Sequence, residues 1–341
     1  MITRFKAENF TVFTKLDIEF SPGINIIIGE NGTGKTHLIK AIYSACSLVN
    51  DKTGKTLDQK VAGVFMPNSI GRLVHRSQGR KAGSFTVYRR NENDTRDHYI
   101  NLHITTLGKA ETKQSAWREE TDAEVTFIPV KDMLANAPGF RSLFQKRELA
   151  YEEVYVDIID KAFLPITKGK LSRDREKLLT HLQKAMDGKV IDKNETFYLK
   201  NKSGELEFPL LAEGYRKLGL LYRLIQNDTL TRGSVLFWDE PEANLNPKLS
   251  EAIVNVLLEL QRMGVQIFIT THDYVLLQEF DLATQSEDRV SYHVLYKNEE
   301  KKVCHDVKNN IDELQPNDID ATFTKLLDRR IQKGIKALNE L

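Results

Sequence analysis

Residues 29–36 form a glycine-rich segment whose spacing suits it to holding phosphate groups. The run GENGTGKT satisfies the pattern GxxxxGK[ST] at every fixed position. Its glycines let the backbone curl so that N–H groups point at phosphate oxygens, while a lysine reaches the β- and γ-phosphates and a threonine hydroxyl ligates Mg²⁺. The segment therefore predicts a nucleoside triphosphate site, and its expected contacts are Asn31, Gly32, Thr33, Gly34, Lys35 and Thr36.

A pair of adjacent carboxylates, Asp239 and Glu240, follows the apolar run 235–238. Such a run is typical of a buried parallel strand, and ligands of open α/β sheets bind beyond the carboxyl ends of the strands. We expect Asp239 to hold Mg²⁺ through water and Glu240 to polarise the water that attacks the nucleotide. The predicted protein ligands of Mg²⁺ are Thr36 and Asp239.

The elements that must position these groups alternate between strands and helices. The apolar run 24–28 predicts a strand before the glycine-rich segment, and a helical pattern covers 35–48. A second helical stripe covers 247–264, between a proline at its start and a glycine at its end, and 266–270 predicts the next strand. Strand, helix and strand with short connections form a βαβ unit, so the fold class is α/β with a mixed or parallel sheet core.

The rest of the chain contains both strand-like and helical stretches. Strand-like stretches occur near 84–88, 99–105 and 125–128. Residues 139–187 are predicted to be mostly helical. Two further strands are expected, at 196–200 and 205–208.

The composition is that of an ordinary globular protein. The 341 residues carry 49 basic and 48 acidic side chains, a formal net charge of +1, with 40% apolar and 28% charged residues. This balance argues against a wholly basic nucleic-acid coat protein, and two cysteines cannot build a disulfide framework. No apolar run approaches the roughly 20 residues needed to cross a bilayer. We expect a cytoplasmic protein without a membrane partner.

Three further segments make the sequence resemble the ABC-type ATPases. Residues 244–247 follow the acidic pair, His272 follows the next predicted strand, and 211–217 open a helix. In that family these are the D-loop, the switch histidine that contacts the γ-phosphate, and the signature loop. The resemblance implies hydrolysis of ATP to ADP and phosphate, with Glu240 and His272 as catalytic residues. It also implies a homodimer or higher homo-oligomer in which Gly214 completes the ATP site of a second subunit.

The start of the chain is similar to the SMC and RecF branch of these ATPases, through residues 9–13 and 23–25. Together with residues 127–133 and the segments LAEGYRKLG and WDEPEANLNP, it also resembles small ATPases of bacterial anti-phage systems. Those subunits commonly work beside a separate nuclease or toxin. A sensor that regulates such an effector is therefore the expected role. The alternatives are a RecF-like repair ATPase acting as an ATP-gated DNA clamp and the nucleotide-binding subunit of a transporter.

The resemblance implies an ABC-type P-loop NTPase head with an antiparallel β lobe and a helical subdomain. It divides the chain into an ATPase domain over 1–300 and a C-terminal helical extension over 301–341. The domain is expected to hold the phosphate loop and antiparallel lobe in 1–130, the helical subdomain in 131–205, and the signature, acidic and histidine segments in 206–300. An amphipathic pattern over 322–337 is expected to pack on its own chain rather than on a partner.

The sequence departs from the family pattern at three places. Ala212 replaces the signature serine, which removes a hydroxyl that would face the partner's γ-phosphate. Arg216 and Lys217 are candidates to contribute positive charge there instead. Lys131 and Asp132 stand where a Q-loop glutamine is expected. The sequence has no sustained heptads or CxxC hook between the predicted strands near 128 and 205, so it does not predict SMC-type coiled coils.

Basic side chains are concentrated between residues 68 and 90, where no acidic residue occurs. Interleaved with Phe85 and Tyr88, they are compatible with a contact to nucleic acid or to an acidic partner, although the pattern favours a solvated edge of the antiparallel lobe. The candidate nucleic-acid contact covers 72–90. Its basic residues are Arg72, Arg76, Arg80, Lys81, Arg89 and Arg90.

Overall fold

The structure, a computed structural model, describes residues 1–91, 94–118, 123–146, 150–167, 169, 171–314 and 318–339. The strands are β1 (Ile2–Phe10), β2 (Phe13–Glu19), β3 (Ile24–Gly29), β4 (Ala82–Arg89), β5 (His98–Thr105), β6 (Ala110–Gln114), β7 (Val125–Ile128), β8 (Lys189–Lys193), β9 (Thr196–Asn201), β10 (Gly204–Glu207), β11 (Val235–Asp239), β12 (Gln266–Thr271), β13 (Val290–Lys297) and β14 (Val303–Lys308). The helices are α1 (Lys35–Cys46), α2 (Leu57–Phe65), α3 (Ala137–Gln145), α4 (Glu153–Ala162), α5 (Arg173–Met186), α6 (Glu213–Gln226), α7 (Ser250–Arg262), α8 (Tyr274–Ala283) and α9 (Asp318–Asn339).

A six-stranded sheet forms the centre of the fold, in the order β14-β13-β3-β12-β11-β7. Neighbouring strands are parallel except for β14, which runs antiparallel to β13. Ile26 and Ile28 of β3 pack into a hydrophobic cluster on one face, and Ile27 packs into a cluster on the other. This burial on both faces explains why the strands read as continuous apolar runs. The predicted α/β class with a mixed sheet is confirmed.

A second, antiparallel sheet covers the amino-terminal part of the fold, in the order β2-β1-β4-β5-β6. The tight connection between β1 and β2 brings Val12 and Phe13 against the glycine-rich loop. A Cβ on Gly34 would lie 2.5 Å from Val12 Cγ2 and 2.7 Å from Phe13 Cζ, and Gly34 has a φ of +95°. Both the close approach and the left-handed backbone require glycine at this position.

Helices α3 to α6 pack beside a small antiparallel sheet of order β10-β9-β8. The stretch 139–187, predicted to be mostly helical, contains most of α3 and all of α4, and ends one residue after α5. The predicted strands at 196–200 and 205–208 correspond to β9 and β10. Strand β8 was not predicted, because Val190 is the one buried side chain of its five and the pattern is too polar to indicate a strand.

The C-terminal part differs from the expected helical extension over 301–341. Strand β14 pairs with β13 and completes the central sheet, so the helix of this part begins only at residue 318. The first turns of α9 pack on the fold through Phe323, whose ring stacks on Tyr274 with centroids 4.1 Å apart. Beyond these turns, four apolar residues of α9 are more than half exposed: Leu326, Leu327, Ile331 and Ile335. The expectation that this helix packs on its own chain is therefore corrected for all but its first turns.

Within the residue ranges given above, no helix is both long enough and apolar enough to cross a bilayer.

Candidate active site

The phosphate loop joins the buried strand β3 to the start of α1, as predicted. Asn31 and Gly32 lie at its exposed crest, whereas Thr33 is buried and its hydroxyl donates to the Glu30 carbonyl at 2.8 Å. Glycines 29, 32 and 34 have φ values of +147°, +78° and +95°, which produce the curled backbone that the pattern predicts. The N–H groups at the start of α1 are the phosphate donors expected of such a loop.

Lys35 is folded back onto its own loop. Its ammonium donates to the carbonyl oxygens of Gly29 (2.6 Å) and Glu30 (3.2 Å), and the residue is only 6% exposed. Burial lowers the pKa of Lys35, while the nearby carboxylates Glu240 and Asp239 raise it. A phosphate entering the loop would replace two neutral carbonyl acceptors with charged oxygens, which bind an ammonium more strongly.

Asp239 meets the phosphate-loop helix across a separation of 203 residues. Its Oδ1 accepts hydrogen bonds from the hydroxyl groups of Thr36, at 3.0 Å, and of Thr270. Burial raises the pKa of this carboxyl, which is 3% exposed and for which the described residues supply no lysine or arginine partner within ion-pair distance. A buried carboxylate beside a threonine hydroxyl is a set of hard oxygen donors that fits Mg²⁺. The structure thus brings the two predicted metal ligands together.

Glu240 and His272 lie side by side at the carboxyl ends of β11 and β12. His272 Nδ1 is 3.3 Å from Glu240 Oε1 and 3.8 Å from Glu242 Oε1. Glu242 accepts from the Thr271 hydroxyl at 2.7 Å and from the His272 N–H at 3.2 Å, so its carboxylate holds the histidine backbone in place. Burial raises the pKa of Glu242. Glu242 lies in the same acidic segment as Glu240 but was not among the site residues predicted from the sequence.

The signature segment opens α6, which packs against the turn that follows β11. Ala212 is the N-cap of α6, is exposed and makes no side-chain cap hydrogen bond. Gly214 is buried, and a Cβ there would lie 3.1 Å from Leu245 and 3.2 Å from Leu249. Within the described part of the chain, no hydrogen bond or ion pair joins α6 to the phosphate loop of the same molecule. The contact predicted between Gly214 and a second copy's ATP stays a prediction.

The two basic residues of this helix are both engaged within the chain. Arg216 Nε lies 2.9 Å from Asp132 Oδ2, and the Asp132 side chain is 2% exposed. Lys217 is also 2% exposed, and its ammonium donates to main-chain carbonyls of the turn after β11. Neither is free to supply charge to a partner's phosphate, which corrects that expectation. The Arg216–Asp132 ion pair attaches to α6 the loop at 131–133, where the family pattern places a Q-loop.

The basic segment at 72–90 is only partly a surface. Arg89 is 6% exposed, its guanidinium donates to the Trp117 carbonyl at 2.7 Å and it lies over the Trp117 ring, so it is a core residue and not a candidate contact. Arg90 pairs with Asp97 at 2.8 Å. The remaining basic side chains of the segment are exposed; they are Arg72, Arg76, Arg80 and Lys81. Their buried neighbour Phe85 is also core.

The buried His293 and the half-buried His305 connect β13 to the neighbouring strands. His293 Nδ1 is 3.1 Å from His305 Nε2, and His293 Nε2 is 3.1 Å from Asn25 Oδ1. Burial lowers the pKa of His293 to about 3 and that of His305 to about 4. Both are therefore neutral at pH 7 and pack as structural groups.

A family model described as "AAA domain, putative AbiEii toxin, Type IV TA system" matches residues 104–278, just over half of the chain. The matched segment contains the signature, acidic and histidine segments, and the phosphate loop precedes it. Among characterised proteins, the DNA replication and repair protein RecF of Limosilactobacillus reuteri is 22% identical over 263 residues, 70% of each chain. RecF of Lactobacillus delbrueckii subsp. bulgaricus is 34% identical over 77 residues, 23% of this chain and 20% of that protein.

Solved structures of SMC heads share the fold. An SMC head bound to the C-terminal winged-helix domain of ScpA superposes with a TM-score of 0.60 at 14% identity, covering 92% of this chain and 99% of that one. An SMC head with an extended coiled coil, bound to the C-terminal domain of ScpA from Pyrococcus furiosus, gives 0.56 at 11% identity, covering 96% and 99%. These similarities establish the fold.

Proposed function

We propose, on the premise that the chain belongs to this AAA-domain family and is an ABC-type ATPase of the SMC/RecF branch, that it hydrolyses Mg·ATP. In this proposal the ATP lies between two copies of the chain, and the ATP cycle controls a separate effector. The effector, a nuclease or toxin, acts in anti-phage defence. ATP closes the dimer and hydrolysis reopens it. The effector responds because it binds the open and closed forms with different affinities.

One observation carries the ATPase part of the proposal. Thr36 and Asp239 meet at 3.0 Å across 203 residues, and the Glu240–His272 pair stands at the next turn of the same sheet edge. Phosphate donors, hard oxygen ligands and a candidate base therefore converge at the carboxyl ends of β3, β11 and β12. Convergence of this kind at one edge of a parallel sheet is what phosphoryl transfer to water needs.

Each residue has a distinct part in the proposed reaction. Lys35 leaves the carbonyls of its own loop to bind phosphate oxygens. Thr36 and Asp239 would hold Mg²⁺, which when bound would neutralise phosphate charge. Glu240 accepts a proton from the attacking water. His272, whose side chain is 51% exposed and directed to Glu240 Oε1, contacts the γ-phosphate and orients that carboxylate.

The location of the signature segment supports a composite site. The N-cap Ala212 is exposed, and among the described residues no hydrogen bond or ion pair ties α6 to the phosphate loop of the same chain. A helix amino terminus is a favourable anion site when a second subunit brings its nucleotide there. A homodimer with two such sites is the simplest closed arrangement, because each copy both offers and receives a helix end.

The family description associates AAA domains of this kind with toxin–antitoxin systems, the setting in which we place the effector. A second candidate function, an ATP-gated DNA clamp, is favoured by the exposed basic residues Arg72, Arg76, Arg80 and Lys81 and by the repair proteins named RecF among the relatives. The two functions share the ATP cycle. They differ in whether the closed dimer is read by a protein or by DNA.

The test compares Glu240→Gln with Lys35→Ala. Glu240→Gln should lower ATP turnover by about 10²–10⁴-fold with ATP binding intact, because the amide keeps the shape and loses the base. Lys35→Ala should weaken binding itself, since it removes a charge held against phosphate. Turnover is followed by phosphate release with Mg²⁺ or EDTA, and binding by calorimetry. Unimpaired hydrolysis by Glu240→Gln would show that another group is the base.

The same pair of variants tests the effector. The product of the gene next to this one is co-expressed and recovered with each variant in the presence of ATP. Glu240→Gln, which should accumulate the closed dimer, is expected to recover a different amount from Lys35→Ala. Equal recovery would count against a nucleotide-gated effector and favour the DNA clamp.

A further inference from the structure

Lys217 is a buried cation for which the proposed reaction has no role. Its ammonium donates to three main-chain carbonyl oxygens, those of Glu240 at 3.5 Å, Pro241 at 3.3 Å and Ala243. A lysine has three N–H donors, and here all three are directed to one turn. That turn follows β11 and carries the proposed base, whereas Lys217 lies in α6, which begins with the signature segment.

The turn depends on outside hydrogen bonds for its shape. Glu240 has a φ of +48°. This left-handed backbone conformation is rare for residues other than glycine and asparagine. Its N–H donates to the Thr270 carbonyl at 3.1 Å, so β12 holds one side of the residue. Lys217 holds the other side through the carbonyl oxygens. Without it, buried carbonyls in the turn would lose their cationic partner.

Further contacts make α6 and the turn a single unit. Asn244 Nδ2 donates to Glu213 Oε2 at 3.0 Å, and the close packing of Gly214 on Leu245 leaves no space for a Cβ without a shift. The amino-terminal end of α6 is meanwhile exposed at Ala212. A displacement of that end is therefore transmitted to the turn and not absorbed between loose elements.

We propose that Lys217 is a positioning residue that couples the amino-terminal end of α6 to Glu240. When ATP held by a second copy binds that end of α6, Lys217 moves the turn and aims the Glu240 carboxylate at the attacking water. The inference rests on the proposed function, because it takes Glu240 as the base and α6 as the element that faces the partner's nucleotide. It adds a route by which assembly at one site activates the base of the other.

The electrostatic surroundings are consistent with this role. Burial lowers the pKa of Lys217, and the surrounding carboxylates raise it; they are Glu213, Glu242, Asp132 and Glu240. These acids come from α6, from the acidic turn and from the loop after β7. The cation thus lies where the segments that must move together meet.

The experiment uses Lys217→Met, which keeps the length of the side chain and removes its three donors. We expect the ATP turnover number to fall about 10- to 100-fold, the cost of a buried hydrogen-bonding group lost near the base, with KM unchanged within about threefold. ATP-dependent dimer formation should persist. In the double variant with Glu240→Gln, Lys217→Met should add no further loss, because a residue that acts through Glu240 has nothing left to position.

Lys60→Met is the matched control. Lys60 is also buried, at 6% exposure. Its ammonium donates to Glu153 and Asp157, each at 2.7 Å, in a cavity at the opposite end of the sheet. The Lys60→Met variant should lower the midpoint of denaturant unfolding at least as much as Lys217→Met does, and it should leave the ATP turnover number unchanged. If Lys217→Met does not fold, Lys217→Leu, which also has no hydrogen-bond donor, is judged by the same criteria.

The outcomes separate the two proposals. A turnover number within threefold of wild type for Lys217→Met, or losses that multiply in the double variant, would overturn the role of Lys217 while Glu240→Gln still defines the base. Full hydrolysis by Glu240→Gln alone would instead remove the proposed function. A loss confined to KM would assign Lys217 to nucleotide binding and also overturn the inference.

Discussion

Substitution of Ala212 tests whether the end of α6 meets the nucleotide of a second copy. Ala212 is the N-cap of α6, with φ −59° and ψ 143°, no side-chain cap hydrogen bond and an exposed position. Ala212→Ser and Ala212→Asp each supply an oxygen that caps the helix. Each should therefore stabilise the isolated chain by a similar amount, about 1 kcal/mol, as N-cap replacements of alanine do. The pair differs in one feature, the negative charge.

The charge decides the effect on assembly. Two unit charges 4 Å apart interact by about 4 kcal/mol at an effective dielectric constant of 20, which corresponds to roughly a thousandfold in an equilibrium constant. The γ-phosphate carries at least one negative charge, so the ATP-bound dimer of Ala212→Asp should be weaker by about a hundredfold at a separation of about 6 Å and by about a thousandfold at about 4 Å. Ala212→Ser returns the signature hydroxyl. A hydrogen bond to a charged oxygen contributes about 1.5–3 kcal/mol, so its dimer should be about tenfold tighter or more.

Both variants are measured in the Glu240→Gln background, so that ATP is not consumed. Sedimentation velocity with ATP gives the dimer constant, and urea unfolding without ATP gives the stability of the isolated chain. Gly214→Glu would be a poor probe of the composite site, because a side chain at 214 would collide with Leu245 and Leu249 of the same chain. Normal ATP-dependent dimerisation of Ala212→Asp would refute the composite site. A destabilised isolated chain would refute the assigned cap geometry.

Three further outcomes follow from the contacts described. If Arg80 and Lys81 each neutralise a DNA phosphate, replacing both by alanine should flatten the slope of log affinity against log salt by about two units, with ATPase activity unchanged; an unaltered slope would leave a solvated surface. Because burial lowers the pKa of His293 to about 3 and of His305 to about 4, below the ordinary value near 6.5, the unfolded chain binds more protons in acid. The free energy of unfolding should fall by about 2 kcal/mol per histidine between pH 7 and 5, and His293→Leu should remove its part of that slope; a parallel pH profile would contradict the assignment. Gly34→Ala should cost about 1–3 kcal/mol of stability from backbone strain alone, and an unchanged urea midpoint would contradict the strained geometry.

The chemistry of the phosphate loop could be predicted from sequence because it is local. Residues 29–36 follow one another, and a GxxxxGK[ST] run between an apolar strand and a helix has few other uses. The carboxylates after β11 and the α/β class were predictable for a similar reason. Buried parallel strands need near-continuous apolar runs, and their ligands lie beyond the strand ends.

What the sequence left open depended on burial and on pairing between distant segments. Arg89 and Arg90 are adjacent in a basic run, yet β4 turns Arg89 into the core beneath Trp117 and leaves Arg90 paired with Asp97. In sequence, the exposed apolar stripe of α9 cannot be distinguished from one that packs on its own chain. Amphipathicity indicates that a helix face needs a neighbour but not which neighbour.

Only the tertiary structure decided how the two halves of the site are joined. Thr36 and Asp239 are 203 residues apart, and their contact requires β3, β12 and β11 to lie in that order in one sheet. Lys217 reads in sequence as an ordinary helix lysine. Its burial against three carbonyls follows from the left-handed turn at Glu240, whose backbone groups must find partners once they are removed from water.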